Sequence, residues 1–126
     1  MKLIGWVAAG GAAGAAMRYL VMIAASHLWG ITFPWGTLTV NVLGSLILGV
    51  LVEAMALTWS VSEGVRAFLV IGVLGAFTTF STFSLQTIGL LQEGRLLTAA
   101  IYTIGSVLLS IAAAYLAMIT TRTLSG

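Results

Sequence analysis

Five hydroxyl side chains, Thr78, Thr79, Ser81, Thr82 and Ser84, share seven consecutive positions with Phe80 and Phe83, and Phe77 stands just before them. Hydroxyls can replace part of an ion's hydration shell, and the edge of a phenylalanine ring carries partial positive charge that favours an anion. The run lies inside an uncharged window from Ala67 to Gln92, long enough to cross a bilayer. Bonding back to the preceding turn's carbonyl accounts for a single Ser or Thr in such a segment. Five together in a medium without water predict a hydrated or ion-lining path instead.

Other polar groups fall at helical spacing. Asn41 brings an amide that is costly in lipid unless paired, and Tyr102, Ser106 and Ser110 recur every fourth residue. For Ser106 and Ser110, close helix packing and pore lining are equally good readings, because Ala114 continues the small-residue row. Arg18 is the only charge well inside the first apolar stretch; a membrane arginine faces water, a partner or backbone, so a role in attracting or positioning anions is expected. Glu53 is expected to reach interfacial water near a helix end, and His27, beside Leu28 and Trp29, reads as interfacial. Donors outnumber fixed negative charges in these stretches, which favours an anion over a cation. With one His, no Cys and three carboxylates near loops, no nucleophile, base and orienting group can be assembled, so an enzyme is not expected.

The elements that position these groups must be membrane helices. Hydrophobic residues make up 60% of the 126 and charged residues 6%, too few charges to cover a soluble globule. The uncharged runs 19–52, 67–92 and 96–121, with residues 3–17, give one all-α domain of four spans at about 3–28, 37–57, 64–92 and 96–121. A cleavable signal peptide is an alternative for the start, but the apolar stretch continues past Arg18 without a cleavage region. Gly5, Gly10, Gly11 and Gly14 among alanines predict close approach by helix 1, and Trp29 to Gly36, holding Pro34 and two tryptophans, predicts an interfacial turn. Ser60 and Glu63 have capping-box spacing for the third helix. Gly72 and Gly75 followed by Thr78 and Thr79 weaken that helix at mid-depth and predict an interruption there. On a continuous helix Phe77, Phe80 and Phe83 would share one arc and Thr78, Ser81 and Thr82 the opposite one.

Charge asymmetry is weak. Four spans put Lys2, Arg66 and Arg122 on one side and Arg95, with Arg18 as a further candidate, on the other. A weak bias permits insertion both ways, and two opposed copies would form an inverted pair.

Gly10 to Gly14 with Arg18, Trp35 to Asn41, and Gly75 to Ser84 together resemble the Fluc (CrcB) fluoride channels, with similarity over all four helices. The resemblance implies an antiparallel, dual-topology homodimer with two fluoride pores, each lined by both copies. It assigns Phe80 and Phe83 to a pore-lining aromatic pair, Asn41 to the pore amide, Ser81, Thr82 and Ser84 to a polar track, and Tyr102, Ser106 and Ser110 to the pore wall. It also implies a structural, untransported sodium ion held by the backbone carbonyls of Gly75 and Thr78. Gln86 departs from the pattern, which has Glu there; the neutral amide removes a negative charge near the anion path, and the pore is expected to survive. The implied activity is passive fluoride efflux across a bacterial inner membrane, relieving fluoride toxicity. The alternative, a small multidrug or guanidinium exporter, needs an acidic residue in the middle of helix 1, where this chain has Arg18. A purely structural membrane subunit would need no polar strips.

Overall fold

A computed structural model describes residues 2–126, which are helical except for short connections. Four helical stretches are long and apolar enough to cross a membrane: Lys2–Trp29, Trp35–Leu57, Glu63–Gln92 and Leu96–Ser125. The first two are α1 and α2. The third is composite: α3 (Glu63–Arg66), a π-helical segment (Ala67–Leu74), α4 (Gly75–Phe77) and α5 (Phe80–Gln92). The last is α6.

The connections follow local chemistry. Gly30 and Gly94 take φ of 78° and 75°, a left-handed conformation that side chains disfavour, and they end α1 and α5. Ser62 caps α3: its backbone is extended and its Oγ accepts from the Val65 N–H at 3.2 Å. The cap expected at Ser60 therefore lies two residues later, where Ser62 itself places Oγ over the first turn. Helix α6 runs to Ser125, beyond the expected end at Thr121. Arg122 does not stop it, because its guanidinium pairs with Glu53 and so stays on the helix surface.

Packing divides the molecule into two helix pairs. Helix α1 lies against the π-helical segment and α4, while α2 lies along α6. Small residues set both approaches. A Cβ on Gly10 would overlap the Phe68 carbonyl oxygen, one on Gly14 the Val73 carbonyl oxygen, and one on Gly72 would sit 2.8 Å from Gly10 Cα. The wider π turn pushes backbone toward α1, and only glycine leaves room for it. On the other pair, a Cβ on Gly49 would overlap the Ala114 carbonyl oxygen. Phe83, Leu90, Ala99 and Tyr102 form the core, with Phe33 and Leu38 packed on it.

Glu53 is buried rather than in interfacial water. Its side chain is 8% exposed and accepts two hydrogen bonds from Arg122, at 2.6 and 3.1 Å. Tight α2–α6 packing encloses the carboxylate, and Arg122 reaches back to neutralise it.

Candidate ion pathway

The polar run contains a backbone break. Thr78 (φ −84°, ψ 157°) and Thr79 (φ −151°, ψ 119°) are extended, and α5 restarts at Phe80. Thr79 Oγ1 caps the new helix by accepting from the Thr82 N–H at 3.2 Å, and it donates to Thr82 Oγ1 at 3.1 Å.

A break in a membrane helix strips carbonyls of their partners four residues on, and each must be answered. Two are answered by side chains. Arg18 Nε donates to the Ala76 carbonyl at 3.0 Å. Asn41 grips the Thr79 peptide on both sides: its Oδ1 accepts the Thr79 N–H at 2.8 Å, and its Nδ2 donates to the Thr79 carbonyl at 3.1 Å. One Nδ2 hydrogen remains. Among the described residues no side chain donates to the carbonyls of Gly75, Phe77 or Thr78. Gly75 is exposed and Thr78 half-buried, and both line a cavity of about 440 Å3.

That cavity gathers most of the candidate residues. Asn41, Ser45, Phe80, Phe83, Ser106 and Ser110 share its wall with Gly75 and Thr78. Ser106 is buried, and its Oγ has no hydrogen-bond partner among the described residues. A buried hydroxyl left this way points to a ligand or water in the cavity. Phe80 and Phe83 lie on α5 with ring centroids 5.5 Å apart and planes tilted by 53°. Phe83 is buried at 8% exposure, whereas Phe80 is 76% exposed and stands out from the single chain.

The predicted arc of three phenylalanines is corrected by the break. Phe77 is buried at 6% exposure and faces an apolar cavity with Met17, Leu20 and Val73, away from Phe80. Two extended residues destroy the helical phase that would have aligned it. The hydroxyls also separate. Thr78 Oγ1 and Ser84 Oγ bond the carbonyls of Leu74 and Phe80 at 2.9 and 3.0 Å, while Ser81 is exposed beside Phe80. Ser81, Thr82 and Ser84 lie outside the lining of this cavity.

Tyr102 stands behind the aromatic pair rather than in the cavity. It is 1% exposed, packs against Phe83 at 5.1 Å and Phe33 at 5.5 Å, and donates its hydroxyl to Gln86 Oε1 at 2.8 Å. Gln86 in turn lines a second cavity of about 420 Å3, with Ser26, Thr32, Glu93 and Arg95, at the opposite end of α5 from the break. Phe33 joined the aromatic cluster without a sequence signal, whereas Gln86, which departs from the family pattern, is the acceptor of the Tyr102 hydroxyl.

A family model described as CrcB-like protein, Camphor Resistance (CrcB), matches residues 5–118. The chain belongs to this family. Three relatives are each named fluoride-specific ion channel FluC. That of Nitrobacter winogradskyi is 51% identical over 107 residues, 85% of each chain. That of Agrobacterium fabrum is 49% identical over 112 residues, covering 89% of this chain and 90% of its own. That of Rhodospirillum centenum is 46% identical over 123 residues, 98% of each. With four membrane-crossing stretches, this member of the CrcB-like family is a multi-pass membrane protein.

The freed carbonyls also suit the cation that the family resemblance implies. Uncharged oxygens are ligands for a hard ion, and a break supplies them without any carboxylate. No group of three His, Cys, Asp or Glu side chains able to hold a metal occurs among the described residues, so a cation at the break would draw on uncharged oxygens. Gly75 and Thr78 would hold such an ion through their carbonyls, where it would supply fixed positive charge beside the cavity.

Proposed function

We propose that this chain forms a passive, fluoride-selective channel that carries fluoride out of the cytoplasm. The observation that carries the reading is the 46–51% identity, over most of the chain, to channels named for fluoride. The geometry supplies the means. Asn41 keeps one N–H free, Ser106 has an unpartnered buried hydroxyl, Ser110 lies beside it, and Phe80 and Phe83 offer ring edges. Ser81, Thr82 and Ser84 continue the polar track along α5. Small, strongly hydrated anions need several donors at once, and Asn41, Ser106 and Ser110 share one cavity wall.

The conducting unit in this proposal is an antiparallel homodimer with two pores, in a bacterial inner membrane. Phe80 supports it: the ring is 76% exposed in one chain, and a second copy would enclose the cavity wall it shares with Asn41 and Ser106. A sodium ion between the copies, held by the Gly75 and Thr78 carbonyls, is structural and not transported. No coupling to an energy source is needed, because an inside-negative potential favours anion exit by about 2.3 kcal/mol per charge per 100 mV. Cells expressing the chain and exposed to external fluoride are expected to hold less internal fluoride than cells without it. Equal internal fluoride at equal protein level would refute the export reading.

A further inference from the structure

We infer that Arg18 is a positioning residue for the carbonyl cation site, acting through the Ala76 peptide rather than by attracting the anion. The inference rests on the sodium reading above. The break releases a consecutive series of carbonyls on either side of Thr78, and their directions decide what each can bind. Successive helical carbonyls turn by about 100° around the axis, so Ala76 and Gly75 in α4 point to different sides. Arg18 Nε takes the Ala76 carbonyl at 3.0 Å from the α1 side. The Gly75 carbonyl belongs to a residue that is exposed and lines the cavity of about 440 Å3, whose wall includes neither Arg18 nor Ala76.

Two helices therefore hold the break from two directions. Arg18 on α1 fixes the peptide just before it, and Asn41 on α2 fixes Thr79 just after it. The carbonyl of Gly75, just before the Arg18 grip, and that of Thr78, just before the Asn41 grip, receive no side-chain hydrogen bond among the described residues, which is the condition for offering them to a cation. Without the Arg18 bond, the Ala76 carbonyl becomes a further unanswered group in the membrane. Re-forming a helical turn through Thr79 and Phe80 would then be the way to satisfy it, and that turn would consume the Gly75 carbonyl. Arg18 is half-buried, does not line the cavity that holds Asn41 and Phe80, and has no carboxylate partner among the described residues. Among the described residues its one hydrogen bond is with the break.

The test reads sodium binding through thermal stabilisation, with flux as a second readout. Purified dimers of the wild type, Arg18→Gln and Arg18→Met are melted in detergent across a sodium series, with N-methylglucamine holding ionic strength constant. The wild type is expected to be stabilised by sodium. Arg18→Met, with no donor for Ala76, is expected to need about 10- to 100-fold more sodium for half of the stabilisation, the usual cost of losing a group that orients a ligand. Arg18→Gln keeps an N–H donor but not the charge, and is expected to fall between the two and close to the wild type. Fluoride flux at saturating sodium is expected to be retained in Arg18→Gln. A wild-type sodium midpoint in Arg18→Met overturns the inference. If Arg18→Met does not fold, a Gln variant with wild-type sodium response but flux reduced at low fluoride overturns it as well, because charge and not the Ala76 bond would then matter. A wild type indifferent to sodium would instead remove the sodium reading itself.

Discussion

Replacing Asn41 with alanine removes both partners of the Thr79 peptide at once. The N–H loses an acceptor at 2.8 Å and the carbonyl a donor at 3.1 Å. Leaving one buried polar group unanswered costs about 1–3 kcal/mol, so two such groups set a range of about 2–6 kcal/mol. Thr79 is half-buried and lines an open cavity, so some hydration is available and the expected loss is about 2–3 kcal/mol. The assay is amide hydrogen exchange across residues 77–82 in detergent, paired with thermal melting. Local opening at that cost corresponds to exchange of the Thr79 amide about 30- to 140-fold faster. Asn41→Asp keeps an acceptor for the N–H but sets a carboxylate against the Thr79 carbonyl, so it is expected to protect the amide without restoring stability. Unchanged exchange and melting in Asn41→Ala would refute the view that this side chain holds the break.

Gly14→Ala drives a methyl group into the Val73 carbonyl oxygen and is expected to cost more than the about 1–3 kcal/mol typical of overpacking, whereas Gly5→Ala, with nothing nearby, should leave melting unchanged. Arg122→Met strands the buried Glu53 carboxylate and is expected to destabilise by about 1–2 kcal/mol, discounted because Arg122 is 63% exposed; Glu53→Gln should cost less. Thermal melting of the two variants side by side checks that asymmetry. Ser106→Ala removes a buried hydroxyl with no protein partner, so stability is expected to hold or rise while fluoride flux falls; a loss of stability would show that Ser106 is a packing residue.

The membrane helices were legible because lipid leaves so little freedom. Uncharged windows and the need for internal hydrogen bonding dictate helices, and Gly10 and Gly14 announced the contact that the π-helical segment makes with them. The π turns themselves were not legible, since Ala67–Leu74 is uniformly apolar and offers no period to distinguish them. Asn41 was marked by the cost of an amide in lipid, but its partner was not: it serves the Thr79 backbone as well as facing the cavity. Phe77 was misplaced because a helical wheel assumes a continuous helix across Thr78 and Thr79. Glu53 was misplaced because charge near a helix end suggests water, and its partner Arg122 lies 69 residues away in sequence. Long-range pairs of this kind depend on how helices pack, which local patterns do not encode.

Fluoride efflux from liposomes containing the purified protein, measured beside chloride efflux and beside a Phe80→Ile variant of equal folded content, tests the central claim most directly. Rapid fluoride release with chloride retained, and loss of that release in Phe80→Ile, is the predicted result. A folded protein that releases no fluoride, or releases chloride equally well, would contradict it.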